Sequence, residues 1–232
     1  MSRGAEPSWA NACVGDNGSP QVIDYANGFA AAANVLVDQV ILVRGVKLPV
    51  DEFIYPVCFN MRHAVELHLK ATIDKLGVID FLKGKSDLPE IKLASTHDLG
   101  IVWGYITENA PRIDKRYKPR LKALAEYVTD IAAIDSTGQV FRYPFDTENK
   151  KHLVNVAIIN MIVLKKRFNK LEGLLSDLNY LNEELMAEYP CTGCPASWDA
   201  AVWSFPLQRW GSGLEKLVWC CNLWWMHSRT PY

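Results

Sequence analysis

The charged side chains of this 232-residue chain almost cancel: 25 Lys and Arg stand against 26 Asp and Glu, a formal charge of −1. A chain so balanced exerts no global pull on a polyanion, so any nucleic-acid contact has to come from a local patch. Long hydrophobic runs are also missing. The longest apolar stretches, such as Val35–Val43 with its Asp38 and Gln39, are too short to span a bilayer, so no membrane association is expected. Residues 1–20 are small and polar, without the basic-then-apolar order of a secretory leader, and are expected to be disordered. The chain has no glycine-rich phosphate loop, nucleophile elbow or HExxH pair, and no repeat with a period of 20–50 residues. It reads as a cytoplasmic protein whose six cysteines stay reduced.

What is present is ordinary globular composition, 49% hydrophobic and 22% charged, enough for a sizeable core. The patterning is helical. Tyr25, Phe29, Ala32, Leu36, Val40 and Val43 recur at steps of three and four, predicting a helix over 21–44 closed by Gly45. Pro49, Asp51 and Glu52 open a second helix, with Pro56 in its first turns, that runs to about Leu76 and stops at Gly77. Residues 84–94 read as a loop. Ser95-Thr96-His97-Asp98 offers an N-cap for a short helix to about Asn109, stopped by Pro111. A helix over 116–134 follows, then a turn at 135–138 and a short extended piece over 139–144. The last helix is expected to be the longest, 149–188. Its stripe of Leu164, Phe168, Leu171, Leu175, Leu178, Leu181 and Leu185 suits antiparallel packing on a neighbour or a partner chain. The expected fold is thus an all-α bundle of about five main helices over 21–188. An appendage over 189–232 holds six of the eight Trp and four of the six Cys.

The second helix carries the constellation of most interest, Tyr55-Pro56-Val57-Cys58-Phe59-Asn60-Met61-Arg62-His63-Ala64-Val65-Glu66-Leu67-His68-Leu69-Lys70. Cys58, Val65, Leu69 and Leu76 form one apolar stripe, while Phe59, Ala64, Leu67 and Ala71 spread over the other side. A helix apolar nearly all round is central, and polar groups inside it need partners. Arg62, Glu66, Lys70 and Asp74 stand four apart with alternating sign. One reading is an ion-pair ladder worth about 0.2–0.5 kcal/mol per pair. The other is a polar site in which Arg62 holds a phosphate in its planar fork and a nearby His moves a proton.

This run resembles the central helix of bacterial HEPN-like proteins. Thr96-His97-Asp98-Leu99 with Trp103, and Phe141-Arg142-Tyr143-Pro144, agree with the resemblance and lie in the expected order; together it covers roughly 21–188. HEPN proteins are helical bundles that commonly dimerise. Many are metal-independent ribonucleases of toxin and phage-defence systems, while others have lost catalysis and bind RNA, nucleotides or protein partners. Their ribonuclease motif is an Arg, often followed by Asn, Asp or His, with a His four to six residues beyond the Arg. The resemblance therefore assigns Arg62, His63 and His68 to catalysis, and adds Glu66 because the Arg-His-x-x-Glu core is the steadier part of the pattern. It implies a metal-independent endoribonuclease, or a silent binding module, with no cofactor. It also implies a homodimer and, in toxin or defence systems, an antitoxin or other protein partner. Helical geometry puts Arg62 and His68 roughly 120° apart. A site composed across a dimer would bring them together.

His97 and Asp98 stand at a helix start, where the plain role is a cap and the functional one is substrate binding near Arg62. Arg142, between aromatics, is expected to pair with Glu66 or Asp98, or to contact phosphate. Arg116 and Lys118 belong to a basic cluster with Lys115, Arg120 and Lys122, either a solvated face or a phosphate-binding surface. No metal is expected. Cys191-x-x-Cys194 has knuckle spacing, but Cys220 and Cys221, being adjacent, are poor ligands for one ion, which leaves zinc the minor alternative.

Overall fold

The computed structural model describes residues 6–15, 17 and 19–189. Among these the chain is all helical: α1 (Val22–Leu42), α2 (Val50–Leu82), α3 (Leu99–Ile113), α4 (Tyr117–Ile134) and α5 (Met161–Glu188), with single 3-10 turns at Ser8–Ala10 and Leu93–Ser95. Among the described residues the only bridge between extended residues joins Phe145 to Lys151. Residues 190–232, and with them the Trp-rich segment and its four cysteines, lie outside the described residues.

α2 is the axis of the bundle. Seventeen of its 33 residues are buried, and α1, α3 and α5 all pack on it. α1 lies closest because the side it turns to α2 is built from Ala26, Ala30, Ala33, Val37 and Val40, whose small side chains let the backbones approach. α4 joins α3 to α5 on the other side. The core runs continuously through all five helices.

Several boundaries differ from the sequence reading. α2 does not stop at Gly77 but continues to Leu82. Val78 and Ile79 extend its buried face, which outweighs the ~1 kcal/mol that a helical glycine costs. α3 passes through Pro111, because Ala110 and Ile113 still have core to fill. Residues 139–144 are not extended: the N–H groups of Arg142 and Tyr143 both bond to the Gln139 carbonyl, closing a turn. The last helix begins at Met161 rather than Asn149, so α2 is the longest element. Asn149 and Leu153 sit at positive φ, and Asp146 Oδ1 accepts from the N–H groups of Glu148 and Lys150, which commits this stretch to turns. Asn160 then caps α5 by accepting from Ile162 and Val163.

The leucine stripe of α5 is spent inside the chain. Phe168, Leu171, Leu175, Leu178, Leu181 and Leu185 are all buried against α2 and α4. Of the two expected covers for the stripe, neighbours in the same chain supply it. Among the described residues no helix is long and apolar enough to cross a membrane.

Burial predicts the cost of truncation. Leu178→Ala should destabilise the fold by about 2–5 kcal/mol in urea unfolding. Tyr180→Ala, two residues away but two-thirds exposed, should change stability by no more than about 0.5 kcal/mol. Equal losses at both positions would contradict the assigned packing.

Candidate functional site

Arg62 and Glu66 lie one turn apart on the inner side of α2, 3% and 2% exposed. Two buried ions in an apolar helix demand compensation, since each costs several kcal/mol to desolvate. The compensation is nearly complete. Arg62 Nη1 donates to Glu66 Oε2, Nε donates to the Asp135 carbonyl at 3.3 Å, and Nη2 donates to the carbonyls of His97 at 2.6 Å and Ser136 at 2.7 Å. Four of the five guanidinium N–H groups are thereby used. The Ser136 carbonyl also accepts from the Leu99 N–H, at the start of α3. One side chain of α2 thus holds the start of α3 and the end of α4.

Glu66 is the counterpart. Its Oε1 takes Lys70 Nζ at 2.7 Å and His97 Nδ1 at 3.0 Å, and its Oε2 faces His63 Nδ1 at 3.6 Å as well as Arg62. Burial by itself raises the carboxyl's pKa. Hydrogen bonds from His63 and Lys70, the Arg62 charge and a hydrogen bond from His97 outweigh it and hold the group well below the usual carboxylate range. The ion-pair ladder of Arg62, Glu66 and Lys70 is therefore part of a buried cluster that reaches beyond its own helix. It also ends at Lys70: Asp74 makes no ion pair, and burial pushes its pKa up to about 6 against the pull of the Lys70 charge.

The turn after α4 is shaped to admit the guanidinium. Asp135 Oδ1 accepts from the N–H groups of Gly138, Gln139 and Val140, folding the chain over Arg62. Gly138 has φ +79°, and a β-carbon there would stand 2.9 Å from Arg62 Nη1, so both conformation and space call for glycine. Neither Asp135 nor Gly138 was singled out from the sequence. The signal was the Asp-Ser-Thr-Gly turn itself, which gave no hint of what it covers.

The other sequence candidates fall into three groups. His68 shares no partner with Arg62. Burial, with the Lys75 charge adding to it, pushes its pKa down to about 4, so it is neutral at pH 7. His97 joins the cluster through both its ring and its backbone, although its side chain is 60% exposed. Asp98 is the cap of α3, accepting from Gly100 at 2.7 Å and Ile101 at 3.2 Å. Arg142 pairs with neither Glu66 nor Asp98. Its guanidinium lies over the rings of Phe59 at 5.6 Å and Tyr143 at 5.3 Å, beside an open hollow of about 450 Å³ lined also by Tyr55, Pro56 and Phe141. The Phe59 ring in turn stacks on His63 at 5.7 Å. In the basic cluster, Arg116 is clasped by Asp114 and by Glu188 at 2.6 Å, and Arg120 meets Asp177 at 3.1 Å, whereas Lys118 is exposed. The two arginines of the cluster are thus neutralised on the spot.

The four tail cysteines of the zinc alternative lie outside the described residues, among which no group of His, Cys, Asp and Glu could hold a metal ion. Comparison with protein-family models, with curated proteins and with solved structures finds no match to this chain.

Removing one partner of the buried pair strands the other. Glu66→Ala should cost about 3–5 kcal/mol of stability, read from thermal or urea unfolding. Gly138→Ala should cost about 1–3 kcal/mol by straining the turn over the guanidinium. An unchanged melting curve for Glu66→Ala would mean that the pair does not hold the bundle together.

His68 gives the fold a pH signature. The native chain keeps this ring neutral down to about pH 4, while the unfolded chain takes up its proton near 6.5. Stability from this residue is therefore full above about pH 6.5 and falls as the pH drops toward 4. Asp74 acts in the opposite sense: it takes its proton earlier in the native chain, so its penalty is relieved as pH falls from about 6 to 3.8. Between pH 7 and pH 5 the parent should lose about 1–2 kcal/mol more than His68→Gln. Parallel stability-versus-pH curves would show that His68 titrates normally in the fold.

Proposed function

We propose that the chain is a HEPN-like helical module that binds RNA and does not cleave it. The HEPN-like part rests on the resemblance of the 55–70 run and of the His97 and Arg142 segments. The non-catalytic part rests on one observation: Arg62 is 3% exposed, with four of its five N–H groups committed to Glu66 and three backbone carbonyls. A guanidinium that stabilises a phosphorane in the transition state must have donors aimed at the place where charge develops. Turning Arg62 toward a phosphate would strand the buried Glu66 carboxylate and open the ends of α3 and α4. His68 is neutral at pH 7, but a pKa pushed down to about 4 makes it a weak base, and it shares no partner with Arg62. The ribonuclease reading needs both groups at one phosphate, which requires a second chain to supply one of them. Exposed cationic and aromatic groups, Arg142 above all, support the RNA-binding part.

Incubation of the purified protein with single-stranded RNA in EDTA separates the two readings. Intact RNA together with a measurable complex is the expected outcome. Cleavage that co-purifies with the protein and disappears in His68→Ala would establish the ribonuclease instead, and would point to a composite site between two copies.

A further inference from the structure

The hollow beside the N-terminal half of α2 is an unassigned feature with the make-up of a binding site. Four aromatic side chains, Tyr55, Phe59, Phe141 and Tyr143, line it together with Pro56 and Arg142, and Tyr55 and Tyr143 are about half exposed. Large planar rings left in water represent an uncompensated apolar surface, and they cluster here with a cation rather than lying scattered. Arg142 is the second part. Among the described residues no carboxylate pairs with it; its contacts are two ring faces and a long 3.5 Å approach to the Tyr143 hydroxyl. An exposed guanidinium placed over ring faces, with no acid paired to it among the described residues, keeps N–H donors for an anion. Nearby, the partly buried His63 ring stacks on Phe59.

We infer that this hollow receives an unpaired base of single-stranded RNA, the base stacking on the Tyr55, Tyr143 and Phe141 rings and the adjoining phosphate taking the Arg142 guanidinium. Stacking of bases on aromatic and Arg planes is how single strands are held where duplexes are not. A volume of about 450 Å³ suffices for one or two bases and not for a helix. A proline-rich peptide also docks on aromatic grooves, but the unpaired guanidinium at the rim favours an anionic ligand. The inference rests on the RNA-binding reading above and assigns it a place.

The test is fluorescence anisotropy with a labelled 12-nucleotide single-stranded RNA, an RNA hairpin duplex and a labelled proline-rich peptide. The full chain is compared with Tyr143→Ala, Arg142→Ala and Lys118→Ala. The three substituted side chains are exposed, so the variants should melt as the parent does. Tyr143→Ala is expected to weaken single-strand binding about 5- to 150-fold. Arg142→Ala should weaken it and lower the salt slope by about one. Lys118→Ala should leave it within about twofold. Binding that is lost with Lys118 but not with Tyr143 or Arg142, or duplex binding as tight as single-strand binding, would overturn the hollow while leaving RNA binding intact. Absence of any RNA complex in the parent, or tight binding of the peptide alone, would overturn the RNA-binding reading with it.

Discussion

One buried carboxylate organises this molecule. Glu66 lies in the interior of α2, the helix on which α1, α3 and α5 pack, and an isolated charge there would be prohibitive. It is tolerated because Arg62, Lys70, His63 and His97 converge on it. The partners come from two places: three from one face of the same helix, one from the segment that leads into α3. Arg62 then extends the network by a second step, bonding to the carbonyls at which α3 begins and α4 ends. The arrangement of α3 and α4 about the axis therefore follows from how one guanidinium is satisfied. The apolar core supplies the larger driving force, but hydrophobic contact is indifferent to direction, whereas four guanidinium hydrogen bonds are not.

This arrangement reshapes what an Arg-His-x-x-Glu run can do. The same residue types that suit acid–base and phosphate chemistry here complete one another electrostatically. Glu66 stays ionised because its neighbours hold it so, and Arg62 is occupied because Glu66 and the turn carbonyls hold it. The chemistry left for a ligand lies at the edge of the cluster. His97 is 60% exposed, His63 stacks on Phe59, and Arg142 stands over two rings with no acid paired to it among the described residues. The charged core lies on α2, and the aromatic and cationic rim is made jointly by α2, the segment before α3 and the turn after α4.

Local pattern made much of the architecture legible. The apolar steps of α1, α4 and α5, the Asp98 cap and the all-round apolarity of α2 are properties of short windows, and helices respond to short windows. Boundaries failed where burial outweighed a local breaker. Gly77 and Pro111 are passed because Val78, Ile79 and Ile113 had core to fill. In the stretch after Pro144, positive-φ residues and the Asp146 turn took a segment that composition alone left helical. The leucine stripe announced that it would be covered, but periodicity says nothing of whether the cover is the same chain or another.

The sequence by itself determined that the chain is helical, that α2 is central, and that Arg62, Glu66 and Lys70 share a face, because a spacing of four places side chains together in any α-helix. Only the tertiary structure decided what those residues mean. The Asp135–Gly138 turn lies more than seventy positions from Arg62 and caps it all the same, through backbone carbonyls that no residue identity encodes. Phe59 and Arg142 are likewise remote in sequence and adjacent in space. Separation along the chain carries no information about such meetings; they are fixed by how the helices pack and by which polar groups that packing leaves to be satisfied.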